Sequence, residues 1–278
     1  MKMYFIVPTL YRREDELLRL VKSINDLTYI HNKEIIIVNQ GENKFKSKHD
    51  FENVFEISIP QKGTSNAKNI GIEHALNFAS DDDIFCFPDD DCWYDKDLFK
   101  NFDVNLNKFD VLVGRAYDPV QNKDFGFTQH KSNRNVNINN AHKFLMISMF
   151  FKARIFKNQN LRFDKNLGVG AKYGCGEETD LLLNILKHDY KVLYEYDLNV
   201  FHLNYTMELS QLLSYSYGQG ALLKKMVYKY KAFYSVLNIL LRPIVGSLIY
   251  VLKLDFKTSR KYLLRIKELN KGYSDYEI

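Results

Sequence analysis

Ile84-Phe85-Cys86-Phe87-Pro88-Asp89-Asp90-Asp91-Cys92-Trp93-Tyr94 is the stretch on which the reading of this chain turns. Ile84 to Phe87 make a short apolar strand, and Pro88 ends it. Three carboxylates then stand just past the strand's C-terminal end, the edge where open α/β sheets bind ligands. Like charges packed there repel unless they share a cation, and hard divalent ions such as Mg²⁺ and Mn²⁺ take oxygen ligands. A bare acidic run also reads as a solvated turn. Asp81-Asp82-Asp83 is an internal control, equally dense but placed before the same strand. Four strand residues span roughly 13 Å, so the two runs lie at opposite edges of the sheet. Asp81–Asp83 are expected to be the solvated turn.

Outward from this strand, further apolar runs predict buried strands at Met3–Val7, Ile35–Val38, Val54–Ile59 and Val111–Val113. Leu17, Leu18, Val21, Ile24 and Leu27 recur at helical spacing. A second helix is expected from about Asn66 to Phe78, capped by Thr64 or Ser65, with Ala67, Ile70, Ala75 and Phe78 on one face. This alternation predicts an α/β fold with an open, mostly parallel sheet covered by helices. The polar stretch Tyr117–Asn140 reads as a long loop. A helix beginning near Gly176 and strands near Val192–Tyr194 and Leu198–His202 complete the region.

The 278 residues are 46% hydrophobic and 14% aromatic, enough for a sizeable core and unlike a disordered chain. Three scattered cysteines make neither a disulfide framework nor a zinc cluster and suit a reducing cytosol. The apolar run at the N-terminus is too short for a signal-peptide core. The net charge of +5 hides two regions: twelve basic and four acidic residues from Ala221 onward give +8, leaving −3 before it.

Two more clusters carry candidate chemistry. Glu177-Glu178-Thr179-Asp180 opens a helix after Gly174-Cys175-Gly176. Such acids complement the helix dipole, and one facing a metal–phosphate site has the chemistry of a general base. Lys62-Gly63-Thr64-Ser65-Asn66-Ala67-Lys68 opens another helix, where N–H groups and a lysine suit phosphate, or simply cap the helix. His202 ends an apolar strand and has both a structural and a functional reading. Gly168-Val169-Gly170 with Gly174 misses the dinucleotide-binding spacing by one residue, and no GxxxxGK[ST] loop is present.

Taken in order over roughly Met1 to Asn204, these pieces resemble a family 2 glycosyltransferase of the GT-A fold, of bacterial surface-polysaccharide type. Ile6-Val7-Pro8-Thr9-Leu10-Tyr11-Arg12 matches the family's opening strand and loop. Ile36-Ile37-Val38-Asn39-Gln40-Gly41 stands where the family has an acidic pair followed by Gly-Ser. Lys62–Gly71 matches the segment before the metal motif, Asp89-Asp90-Asp91 is the DxD position, and Gly176–Leu181 resembles the ED motif.

The resemblance implies that Pro8, Thr9 and Asn39 contact the nucleotide base and ribose, that Lys68 lies near the diphosphate, and that Asp89 and Asp90 belong to the nucleotide-sugar site, Asp89 at the ribose. Asp91 and His202 would hold Mn²⁺ or Mg²⁺. Glu178 falls on the catalytic base position, with Asp180 and Glu177 as alternatives. Asn39 and Gln40 replace acids, so the family's base-recognition contact is altered; a UDP-sugar is the expected donor. The implied reaction is metal-dependent, inverting sugar transfer to a glycan or lipid-linked oligosaccharide acceptor in capsule-type polysaccharide synthesis. Trp93 and Tyr94 either stack on sugar or pack at the strand end.

Residues 1–205 are thus read as the catalytic domain and 206–278 as a helical, basic and apolar extension. Phe233–Leu252 is long enough to span a bilayer, but Arg242 and Pro243 near its middle favour two interfacial helices broken at Pro243. Clustered Lys and Arg would add attraction to an anionic leaflet. The expected location is cytoplasmic, peripheral at the inner face of the cell membrane. A helical cap or homodimer interface is the alternative for this tail. Nucleic-acid binding leaves its apolar density unused. For the whole chain, the competing reading is a catalytically silent nucleotide-binding or membrane-scaffold protein that keeps the fold.

Overall fold

A computed structural model of the chain describes residues 1–100, 102–126, 131–159 and 161–278. The first part alternates as expected: β1 (Met3–Thr9), α1 (Glu14–Asn25), β2 (Lys33–Asn39), β3 (Val54–Ser58), α2 (Thr64–Leu76) and β4 (Ile84–Cys86). β1 is buried at every position, which explains its unbroken apolar run. α1 buries Leu17, Leu20, Val21 and Ile24 and carries Glu14, Asp15 and Glu16 in its first turn. α2 is capped by neither expected side chain: its N-cap is Gly63, at φ 128°, a conformation glycine adopts freely. Ser65 Oγ instead donates to the Leu167 carbonyl at 2.6 Å. Phe78 lies beyond the helix end and is exposed, so it is no part of the buried face.

Then follow β5 (Trp93–Tyr94), α3 (Phe102–Leu106), β6 (Val111–Asp118), β7 (Lys123–Asp124), β8 (Arg134–Asn135), β9 (Met149–Lys152), α4 (Arg154–Gln159), α5 (Glu177–Lys187) and β10 (Val192–Phe201). The sheet runs β3-β2-β1-β4-β9-β6-β10-β5, with β7 on β6 and β8 on β10. β1 to β4 are parallel where they pair, as are β6 and β10, but β9 is antiparallel to both β4 and β6. The sheet is therefore mixed. The stretch read as one loop, Tyr117–Asn140, contains the end of β6 and the short strands β7 and β8; its residues 127–130 lie outside the described set. The two strands expected near residues 192–202 are one strand, whose register shifts between Tyr194 and Asn199.

Alternate residues of β1 feed two cores, Tyr4 and Ile6 on one face of the sheet and Met3, Phe5 and Val7 on the other. Asp83 is not solvated: it is buried and accepts the Lys2 and Ser80 N–H groups at 2.6 and 2.8 Å. Asp81 and Asp82 do face solvent.

The C-terminal helices α6 (Leu209–Tyr228), α7 (Phe233–Leu252) and α8 (Phe256–Asp275) are built onto this body. Leu222, Leu223 and Met226 of α6 share a core with Tyr4, Phe85 and Leu182. Lys225 Nζ lies between Asp164 (2.8 Å) and Asp180 (2.6 Å), while Tyr230 and Tyr276 donate their hydroxyls to Asp180 and Asp164. This network clamps the tail to the sheet region. α7 is a single helix that runs through Pro243, not two helices broken there. The proline is buried within it and costs one i→i−4 hydrogen bond without ending the helix. α7 is long and apolar enough to cross a membrane, yet only 22% of its apolar window is buried.

Candidate active site

β1 and β4 end at the same sheet edge, and a cleft of about 700 Å³ opens there. Pro8 and Thr9 from β1, Lys62 and Gly63 before α2 with Thr64 at its start, Asp89–Asp91 after β4 and His202 after β10 all line it. One oxygen each from Asp89 and Asp91 and one nitrogen from His202 lie within 4.8 Å of one another. Asp89, expected at the ribose, thus joins the expected metal ligands. Asp90 is not part of that group, although it lines the same cleft: Thr9 Oγ1 donates to it at 2.7 Å. Burial raises the pKa of Asp90, against the pull of Thr9 and Arg13.

His202 Nδ1 faces the Leu203 carbonyl at 2.8 Å, an atom that can only accept, so Nδ1 carries a hydrogen. Burial lowers the imidazole's pKa, against the charge of Asp89. Its Nε2 faces Asp91 Oδ1 at 3.0 Å. Were the ring neutral, acceptor would face acceptor, so the pair calls for a ring proton or a metal ion. Two carboxylates and an imidazole suit Mn²⁺ and also Mg²⁺, so the residues fit a divalent ion. Asp118 holds the chain in place behind His202. Desolvation raises its pKa, but N–H groups of Asn204, Gln121 and Val120 outweigh this and hold it at about 2.

α5 presents its three acids to three different surroundings. Glu177 pairs with the buried Lys68 at 3.4 Å. Above it Gly168 passes at φ 100°; a Cβ there would come within 2.7 Å of Thr64 Oγ1 and 3.1 Å of the Glu177 carboxyl carbon. Asp180 is buried in the Lys225–Tyr230 network, which corrects its reading as an alternative base: its carboxylate is already committed to the tail. Glu178 Oε2 accepts the Met146 N–H at 2.8 Å. Burial, then the charge of Glu177, push the Glu178 pKa up to about 8; the Met146 hydrogen bond and Lys68 oppose this, and Asp89 adds to it.

Two expected nucleotide contacts lie behind the cleft wall. Asn39 is buried, donates its amide to the Asn43 carbonyl and to Glu56, and accepts the Gly41 N–H at 2.8 Å. Its neighbour Gln40 reaches the cleft and accepts the Gly63 N–H at 2.6 Å. Lys68 is buried between Glu177 and the Phe163 ring. Trp93 packs under Arg19 and beside Phe201, and Tyr94 against Phe5, so both are strand-end packing. Arg13, Arg19, Phe125, Tyr205 and Tyr215 line the cleft without having been expected there. The basic pair Arg12-Arg13 after the first strand was a usable signal; the tyrosines had none, because Tyr205 in the segment before α6 and Tyr215 on α6 reach the cleft only through tertiary packing.

The glycosyl transferase family 2 model matches residues 4–169, and the chain belongs to that family. It is a glycosyltransferase of GT-A fold. Among solved structures, S. aureus TarS 1–349 is similar at a TM-score of 0.60 and 12% identity, covering 98% of this chain and 92% of that one. The same TarS fragment has been solved with UDP-GlcNAc, at a TM-score of 0.57, 12% identity and the same coverages. The mannosyltransferase PcManGT from Pyrobaculum calidifontis, in complex with GDP-Man and Mn²⁺, gives a TM-score of 0.65 at 12% identity, covering 99% of this chain and 88% of that one. At this identity the likeness establishes the fold. No curated protein matches the sequence.

Proposed function

We propose that this enzyme transfers a sugar, with inversion, from a nucleotide sugar to a hydroxyl of a glycan or lipid-linked oligosaccharide in cell-surface polysaccharide synthesis of the capsule type. The observation that carries the reading is one cleft in which Asp89, Asp91 and His202 converge, with the buried Glu178 close enough to Asp89 for the two charges to interact. Glu178 takes the acceptor proton as the acceptor oxygen bonds to the anomeric carbon from the face opposite the leaving group. The bond from that carbon to the diphosphate oxygen breaks, and its electron pair leaves with the nucleoside diphosphate. A divalent ion held by Asp89, Asp91 and His202, Mn²⁺ or Mg²⁺, would supply charge neutralisation for that leaving group. A carboxylate with a pKa near 8 is well matched to a base working near neutral pH.

A UDP-sugar is the first donor to test, in keeping with the UDP-GlcNAc complex of TarS, and a GDP-sugar the second, in keeping with PcManGT. Incubation with Mn²⁺ and a panel of both donor classes, read by product mass and anomeric NMR, tests the reading. A transferred sugar of inverted configuration is expected. Absence of turnover with every donor and acceptor would leave the silent, scaffold reading in possession.

The same proposal places the enzyme at the inner face of the cell membrane. Support comes from the exposed apolar stripe of α7, including Leu237, Leu241, Leu248 and Leu252, beside the exposed bases Lys253, Lys257 and Arg260. Flotation with anionic vesicles should be lost in Leu241→Glu/Leu248→Glu. If wild type stays at the bottom and sediments as a dimer that the double variant breaks, the stripe is a homodimer face instead.

A further inference from the structure

Glu16, Asp89, Asp90 and Asp91 bring four carboxylates to the cleft, and Arg13 pairs with two of them. Its Nη1 meets Asp91 Oδ2 and its Nη2 lies 3.5 Å from Asp90 Oδ1. The oxygen it takes on Asp91 is not the one that faces His202, which is Oδ1. Arg13 and a metal held on the His202 side would therefore draw on the same carboxylate from two sides. Arg19 also reaches Asp91, but through the backbone carbonyl at 2.7 Å, and its guanidinium is seated on the Trp93 ring at 4.1 Å. Arg13 has no such seat. It stands at the N-cap of α1 in a non-helical conformation, φ −133° and ψ 71°, and its side chain is 50% exposed. A long, half-exposed side chain on a cap residue can leave its partners without disturbing the helix.

We propose that Arg13 is a tethered counter-cation, which neutralises Asp90 and Asp91 before a divalent ion arrives and is released by that ion to hold the donor's diphosphate. The proposal rests on the metal-site reading above. A divalent ion at Oδ1 and the guanidinium at Oδ2 would repel each other across one shared negative charge, and the ion, with two charges against one, would prevail. The released guanidinium remains at the cleft wall with a planar fork that matches phosphate oxygens in pairs. Metal alone thus has to displace Arg13, whereas metal with a nucleoside diphosphate gives Arg13 a new anion. The two ligands therefore bind cooperatively, and Arg13 is a positioning residue for the leaving group.

Mn²⁺ binding to the full chain, followed by the EPR signal of free Mn²⁺ without nucleotide, tests the exchange. Arg13→Gln should bind Mn²⁺ about two- to fivefold more tightly than wild type, the range expected on removing a partly exposed ion pair. Arg13→Lys, which keeps a charge, should stay near wild type. With Mn²⁺ saturating, calorimetry should show UDP or GDP binding Arg13→Gln about tenfold more weakly, the loss of a charged phosphate contact. Equal Mn²⁺ affinity in wild type and Arg13→Gln overturns the exchange, and unchanged nucleotide affinity overturns the handover to phosphate. If Mn²⁺ binds no better to wild type and Arg13→Gln than to Asp91→Ala, with or without nucleotide, the metal reading itself has failed. The circular-dichroism spectrum of each variant confirms that it is folded.

Discussion

Asp81–Asp83 and Asp89–Asp91 are the same tripeptide on either side of one strand, yet they live under different electrostatics. Before β4, each charge has a fixed partner: Asp81 has Lys157 at 3.3 Å, Asp82 has Lys152 at 3.3 Å, and Asp83 has two backbone N–H groups. Past β4, the carboxylates face a cleft, an imidazole and the exposed Arg12 and Arg13. The first run is satisfied by the fold itself; the second is left wanting a cation. Composition is identical, and position relative to the strand's direction decides the role.

The largest effect should come from breaking this asymmetry at its functional end. Asp91→Ala is expected to lower kcat by about a thousandfold, the scale of losing a main electrostatic stabiliser, and to abolish Mn²⁺ binding. Asp82→Ala should leave both unchanged, and an equal loss in the two variants would refute the contrast. Glu178→Gln should cost about 10²- to 10⁴-fold in kcat with nucleotide affinity retained. As the proposed base, Glu178 would work ionised, so wild-type kcat/KM should climb as pH rises through about 8 and then level. The linked stability runs the other way. The folded protein keeps a proton that the unfolded chain releases above about 4.5, so this contribution is full below that pH and is lost as pH rises through about 8. Thermal melts of Glu178→Gln should show a flatter pH dependence over that window.

Asp83→Ala should cost about 1–3 kcal/mol of stability in urea titrations by orphaning the Lys2 and Ser80 N–H groups, with activity per folded molecule intact. Asp81→Ala is the smallest case, within about 0.5 kcal/mol, because its ion pair is open to water. A larger loss there would mean that the run before β4 is more than a surface network.

The strands, the cleft edge and the converging acids were legible because they depend on short-range apolar periodicity and on which end of a strand a residue follows. What escaped is set by partners distant in sequence. Glu177, Glu178 and Asp180 share one helical turn, and only Lys68, Met146 and Lys225 tell them apart. Asn39 and Lys68 sit in family motifs, but Glu56 and Glu177 draw them behind the wall. A register shift made one strand look like two, and Pro243, buried among the tail helices, remains inside one helix.

The Lys225 clamp has a consequence for synthesis. Asp180, on the helix that carries Glu178, reaches its partners only after Lys225 and Tyr230 have been made, and Asp164 gains Tyr276 later still. Synthesis from the N-terminus therefore delivers the strands that edge the cleft well before α5 can be locked. Until Lys225 and Tyr230 have left the exit tunnel, the nascent chain is an open cleft with an unfinished wall. Chaperones and early-binding partners would meet this enzyme in that half-built form.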